Sequence, residues 1–238
     1  MTQIPVVFVS GLAADGRLWQ PVLDRLSDVV APTVAKCEGA SIEDWADEIL
    51  ASAPQQFYIA GISMGGYVAL EVALRGDARL AGVILLNTNA RSASAQQRER
   101  GEGLIDEVRK GNFAQVVERL SGVVSGGKAG VGELAAVMTL DAGAETFVRQ
   151  QQAVLSRADR REQLPRIAVP TLVIAGDEDR LAPPSLNNEL ARLIPSAELE
   201  ILACGHMSTA EAPAEVADII RRWLVSRRPG TGSTKARV

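Results

Sequence analysis

Residues 61–66 read Gly61-Ile62-Ser63-Met64-Gly65-Gly66. An apolar run, Gln56–Ala60, precedes them, and a helix-forming run, Met64–Arg75, follows. G-x-S-x-G between a strand and a helix makes a turn so sharp that the serine adopts a strained backbone conformation. A side chain at Gly61 or Gly65 would collide with the neighbouring strand or helix. The turn lifts the Ser63 hydroxyl above the sheet edge. It also aims the backbone N–H of Met64, at a helix N-terminus, toward a developing oxyanion. The chemistry this spacing suits is nucleophilic attack by a hydroxyl on an acyl carbon.

Such a hydroxyl needs a base, and the base needs a group to orient it. The chain has 1 histidine. His206 follows Ala203-Cys204-Gly205, beyond a late strand and before the last helix. If a histidine base serves Ser63, no other residue can be it. Two acids compete for the third role in Gly176-Asp177-Glu178-Asp179-Arg180-Leu181-Ala182-Pro183. Asp177, directly after the glycine, suits a backbone-capping turn. Asp179 lies further around the loop, where a carboxylate can reach over the sheet edge, and is favoured. The order Ser…Asp…His is the one expected of a nucleophile elbow.

Positioning these groups is a matter for the rest of the chain. Six short apolar runs read as strands: Pro5–Val9, Val29–Val34, Gln56–Ala60, Ala81–Leu86, Val169–Ala175 and Ala197–Leu202. Helical patterns lie between them, at Ser41 onward with Asp44 three residues on, at Met64–Arg75, Pro184–Leu193 and Pro213–Val225. Alternating strand and helix implies an α/β fold, with a mostly parallel sheet of about six strands covered on both faces. From Arg91 to Leu164 no strand is evident. This segment reads as a helical insertion after the fourth strand, with Gly-rich Ser121–Gly132 as a loop.

With these motifs in place, the chain resembles the alpha/beta-hydrolase fold superfamily, in its small lid-bearing branch of serine esterases, lactonases and carbon–carbon bond hydrolases. The resemblance spans about residues 4–226. It rests on Gly61–Gly66, on Gly176-x-x-Asp179-x-x-x-Pro183 and on Gly205-His206. It implies a triad of Ser63, Asp179 and His206. Leu12 would supply the second oxyanion N–H beside that of Met64. It also implies core residues 1–90 and 166–228 and a lid over 91–165, while Pro229, Gly230, Gly232, Ser233 and Thr234 read as linker chemistry in a flexible tail over 229–238. The family's early His-Gly pair falls on Ser10-Gly11, a departure that bears on the shape of the oxyanion loop.

The activity implied by the resemblance is that of a serine hydrolase cleaving a small or medium apolar carboxylic ester or lactone through an acyl-enzyme. A carbon–carbon hydrolase of a dicarbonyl compound, or a thioesterase, would use the same triad. A ligand-binding protein without catalysis is the reading from a different class. No metal or organic cofactor is required. In the insertion, Phe113, Met138, Leu140 and Phe147 are candidate pocket walls, or equally the insertion's own small core. Asp15, Arg17 and Trp19 read as packing or capping groups for the next helix. Arg91, Arg98 and Arg100 read as a solvent-facing helix. Asn87-Thr88-Asn89 ends the fourth strand, where some relatives place the triad acid; amides there favour Asp179.

Composition excludes other classes. Of 238 residues, 47% are hydrophobic, and 25 basic against 29 acidic residues leave a net charge of -4, which argues against a general nucleic-acid binder. No apolar run approaches the roughly 18 residues of a membrane span. The N-terminus lacks a secretory pattern, so the expectation is a cytoplasmic protein with a small-molecule partner and no membrane partner. Arg221, Arg222, Arg227, Arg228, Lys235 and Arg237 make the end basic, which reads as a solvated helix end with a frayed terminus. Cys37 and Cys204 are too few for a zinc site and are expected to be unpaired thiols.

Overall fold

The computed structural model describes residues 3–227. The expected tail, 229–238, and the basic residues Arg228, Lys235 and Arg237 lie outside the described residues. Six strands are present: β1 (Ile4–Val9), β2 (Val30–Val34), β3 (Phe57–Ile62), β4 (Leu80–Leu86), β5 (Thr171–Gly176) and β6 (Ala197–Leu202). They form one sheet in the order β2-β1-β3-β4-β5-β6, and every pairing is parallel. This is the alpha/beta-hydrolase arrangement.

The central strands β1, β3, β4 and β5 are buried on both faces, so both residue parities along them are apolar, whereas the edge strands β2 and β6 are partly exposed. Val6 and Phe8 of β1, with Tyr58, Ile62, Ile84 and Ile174, join the core on one face. There α1 (Gln20–Leu26) and α9 (Pro213–Val225) contribute Val22, Leu26, Ile220 and Trp223. The alternate residues Val7, Val9, Ile59, Val83 and Val173 face the other way. They meet α2 (Ile42–Ser52), α3 (Met64–Leu74) and α7 (Pro184–Leu193). The Ser41 hydroxyl caps α2, accepting from the Asp44 amide at 3.0 Å. A four-residue helix, α8 (Ser208–Glu211), precedes α9.

Three helices lie between β4 and β5: α4 (Ala95–Arg109), α5 (Phe113–Val124) and α6 (Ala129–Ser156). Ser94 and Gln97 form a reciprocal capping box at the start of α4. Helix α6 is broken at Gly143, whose φ of 82° is outside helical space. A small core of Val108, Val116 and Phe147 reaches Ala13 of the main body. Arg157 ties the end of α6 down: its guanidinium lies 4.4 Å over the Tyr67 ring and Nε donates to the Arg91 carbonyl at 2.9 Å.

Several boundaries differ from those expected. Strand β3 runs on through Gly61 to Ile62, because both residues pair with Leu85 and Leu86 of β4. Ser121–Gly132 is not one loop; only Ser125–Lys128 separates α5 from α6. Gly122, Gly130 and Gly132 lie within the helices and each costs about 1 kcal/mol relative to alanine. Val124, Val131 and Leu134 pack against the main core and outweigh that cost. Helix α1 follows Trp19, and Asp15 caps the short 3-10 turn before it, Gly16–Leu18. Among the described residues, no helix is long and apolar enough to cross a membrane.

Candidate active site

Ser63 stands between the last residue of β3 and the first of α3, with φ 54° and ψ -117°. A non-glycine residue held there costs about 1–3 kcal/mol and persists only where its surroundings over-determine it. Here they do. The Ser63 amide donates to the Leu86 carbonyl at 2.9 Å, and the Ser63 carbonyl accepts from Gly66 N–H at 2.9 Å and from the Thr88 hydroxyl at 2.8 Å. The glycines are required by close backbone approach. A Cβ on Gly61 would lie 2.1 Å from the Gly65 carbonyl oxygen, and one on Gly65 would lie 2.1 Å from that of Val9.

His206 sits on the loop between β6 and α8. Its Nε2 is 2.9 Å from Ser63 Oγ, and its Nδ1 is 2.9 Å from Asp179 Oδ2. A carboxylate facing Nδ1 selects the tautomer protonated there, so Nε2 is left to accept from the serine hydroxyl. Asp179 follows β5 in a loop whose entry is equally tight: a Cβ on Gly176 would meet the Cys204 carbonyl oxygen at 2.3 Å. The Asp179 side chain is 0% exposed and that of His206 is 11% exposed. Burial pushes the Asp179 carboxyl up, but the bonds from His206, the Ala182 amide and the Asn87 side chain outweigh it and hold the group below its ordinary value. Asp179 Oδ1 accepts from the amides of Leu181 at 2.8 Å and Ala182 at 2.9 Å. Asp177 lies before this turn; its amide continues the β6 pairing to Leu202.

Two further residues serve the site, and sequence reasoning missed both roles. Asn87, fully buried at the end of β4 with φ 48°, donates from Nδ2 to Asp179 Oδ2 at 3.0 Å and to the Gly205 carbonyl at 3.1 Å. Its Oδ1 accepts from the Ser208 hydroxyl at 2.6 Å. The signal available was its position at the carboxyl end of a central strand. Gln150 of α6 is buried, and its Oε1 accepts from the Ala13 amide at 2.7 Å. Nothing in the local sequence distinguishes that glutamine from its neighbours. With Ser10 Oγ donating to the Asp15 carbonyl at 2.9 Å, it braces the loop that carries Leu12.

Ser63 and His206 form the polar end of a pocket of about 620 Å³, counted to include its mouth. Gly11, Leu12, Leu18 and Ile62 line it from the main body, and Leu120, Val124, Ala135, Met138 and Phe147 from the insertion. The two hydroxyls on the wall turn to their own helices: Thr139 Oγ1 donates to the Ala135 carbonyl at 2.8 Å and Ser121 Oγ to that of Glu118 at 2.9 Å. Met138 and Phe147 thus stand on the wall. Phe113 does not; it packs behind Phe147 with ring centroids 6.1 Å apart. Leu140 also does not, because it faces outward from α6 and is 50% exposed. Arg17, expected to pack or cap, pairs with Asp15 at 2.6 Å and with Asp141 at 2.8 Å. Cys37 and Cys204 are both unpaired, and burial pushes each thiol up to about 12.

The sequence profile of the Alpha/beta hydrolase family matches residues 6–219, and the chain belongs to that family. Among curated proteins, it is 28% identical over 224 residues to a pimeloyl-[acyl-carrier protein] methyl ester esterase of Vibrio atlanticus, covering 81% of this chain and 83% of that one. It is 25% identical over 244 residues to the 3-oxoadipate enol-lactonase 1 of Acinetobacter baylyi, covering 93% and 88% respectively. Among solved structures, a thermophilic esterase from Thermogutta terrifontis superposes with a TM-score of 0.86 at 27% identity, over 96% of this chain and 92% of that one.

Proposed function

We propose that this chain is a hydrolase of carboxylic esters or lactones that works through an acyl-enzyme on Ser63. The observation that carries the reading is the unbroken run from hydroxyl to imidazole to buried carboxylate, with both contacts at 2.9 Å, opening on an apolar pocket. The named activities of the relatives support the ester and lactone class over the carbon–carbon and thioester alternatives.

In this mechanism His206 removes the Ser63 proton as Oγ attacks the carbonyl carbon. Asp179 holds the imidazole and stabilises the imidazolium that forms. The Leu12 and Met64 amides receive the oxyanion, each contributing about 2.7–4 kcal/mol in comparable sites. His206 then protonates the departing alcohol and activates the water that releases the acid. The three-helix insertion acts as the lid that walls the acyl site. A wall without a charged side chain favours an uncharged acyl group, since an ionised tail would lose its hydration with no partner in return.

Turnover of nitrophenyl esters and lactones of graded acyl length tests this reading. Ser63→Ala is expected to abolish hydrolysis, with an unchanged circular dichroism spectrum. Undiminished hydrolysis by that variant removes Ser63 from the mechanism. A folded wild-type chain that binds these compounds without turnover makes it a binding protein instead.

A further inference from the structure

The insertion reaches the two loops that carry Asp179 and His206 through one lysine. Lys128 lies between α5 and α6, directly after Gly126 with φ 59° and Gly127 with φ 84°. Its Nζ donates to Glu211 Oε2 at 2.5 Å and to Glu178 Oε2 at 3.0 Å. Glu178 is the neighbour of Asp179 in the chain. The Glu211 side chain is 2% exposed, against 44% for Lys128. Its two oxygens are also spent on the histidine loop: Oε2 accepts from the Gly205 amide at 2.7 Å and Oε1 from the Met207 amide at 3.0 Å. Those amides flank His206, so one carboxylate holds the backbone on both sides of the imidazole. The approach is close enough that a Cβ on Gly205 would lie 2.9 Å from Glu211 Oε1.

A carboxylate this buried depends on its cation, because removing one partner of a desolvated pair leaves an uncompensated charge. The Lys128 ammonium is correspondingly held well above its ordinary value, by Glu211 first and Glu178 second. The contact at the far end of the same segment differs. Arg17 and Asp141 are 42% and 60% exposed, and such surface pairs contribute little. Between the two contacts runs the first part of α6, before its break at Gly143, which carries Ala135, Met138 and Thr139 of the pocket wall.

We propose that Glu211 is a positioning residue for His206, and that Lys128 makes this positioning depend on the insertion being seated over the pocket. The proposal rests on the reading of Ser63 and His206 as nucleophile and base. Seating the insertion brings the lysine to Glu211, fixes the histidine loop, and closes the apolar wall in the same movement. A misplacement of the imidazole by about 1 Å is enough to cost up to about a hundredfold in rate.

The test combines steady-state ester hydrolysis with the rate at which a fluorophosphonate labels Ser63. It uses Lys128→Met, Lys128→Arg, Glu211→Gln and, as a charge control, Lys110→Met, whose exposed lysine at the end of α4 pairs with Glu107 of that helix. Lys128→Met and Glu211→Gln are expected to lower kcat and the labelling rate by about tenfold or more, with KM changed less than about twofold. Lys128→Arg should recover most of the loss, and Lys110→Met should match wild type. Wild-type kcat in Lys128→Met overturns the proposal, as does a loss confined to KM or one that arginine does not restore. Lys128 is half-exposed, so its variants report even if Glu211→Gln fails to fold. A wild type that neither turns over ester nor takes the label sinks the nucleophile reading, and the pair with it. An active, labelled wild type with unaffected lysine variants sinks the pair alone.

Discussion

Replacing Asn87 by aspartate is the most searching single change at this site, because the two side chains have nearly the same shape and differ in what they offer. Asn87 Nδ2 supplies two hydrogen bonds, to Asp179 Oδ2 at 3.0 Å and to the Gly205 carbonyl at 3.1 Å. In Asn87→Asp an acceptor faces two acceptors. Two unit charges at that 3.0 Å separation, with an effective dielectric constant near 20, repel by about 5.5 kcal/mol. Keeping a proton at pH 7 on a carboxyl that ordinarily titrates near 4 costs only about 4 kcal/mol. The pair therefore holds a shared proton at neutral pH, as closely set carboxyls do. His206 then faces a carboxyl pair with one negative charge spread over two groups and no amide to fix its direction.

The expected outcome is a kcat lower by about ten- to a hundredfold at pH 7, with partial recovery as pH rises and the shared proton leaves. The stability trend has a definite sign. A carboxyl whose folded pKa is raised favours the native state below its unfolded pKa and loses that advantage as pH rises through the folded value. The melting temperature of Asn87→Asp should therefore fall, relative to wild type, between mildly acidic and mildly alkaline pH. Ester hydrolysis across pH, with thermal melts in the same buffers, measures both. A variant with wild-type kcat, or a melting-temperature difference independent of pH, refutes the account of Asn87 as the amide that steadies Asp179.

Other expectations rest on the same geometry. Gly65→Ala puts a methyl group 2.1 Å from the Val9 carbonyl oxygen, and backbone cannot yield as a side chain does, so the variant should lose fluorophosphonate labelling and melt at a lower temperature by an overpacking cost of about 1–3 kcal/mol or more. Gln150→Ala removes the acceptor of the Ala13 amide, so the loop bearing Leu12 loses its brace; kcat should fall about tenfold in the ester assay while KM changes little. Burial holds both thiols up to about 12, so at pH 8 only about one in ten thousand is thiolate, and iodoacetamide should modify native Cys37 and Cys204 far more slowly than the same residues in denaturant.

Some of this protein was legible along the chain because the determining interactions are local. The turn around Ser63 demands glycines two residues away on either side, and that demand is written in five consecutive positions. Central strands buried on both faces must be almost continuously apolar, so their runs announce themselves, and the alternation of strands with helices implies a parallel sheet. With 1 histidine in the chain, any histidine base for Ser63 had to be His206. The Asp177 and Asp179 alternatives were separable by their places in one loop.

Other features depend on contacts between residues far apart in the chain, and no local pattern encodes them. Asn87 meets Asp179 across 92 positions and Gln150 meets Ala13 across 137. A buried amide with a perfect partner and an amide in solvent look the same in a string of letters. The glycines of Ser121–Gly132 spoke for a loop, yet packing of Val124, Val131 and Leu134 on the main core kept most of that stretch helical. Phe113 and Leu140 had the right composition for a pocket wall, but which side of a helix meets the cavity is set by how α5 and α6 pack on the sheet. Residue types and close spacing thus determined which chemistry was available, since covalent geometry acts over a few residues. Only the folded chain decided which side chains hold that chemistry in place, because hydrogen bonds and burial act through space.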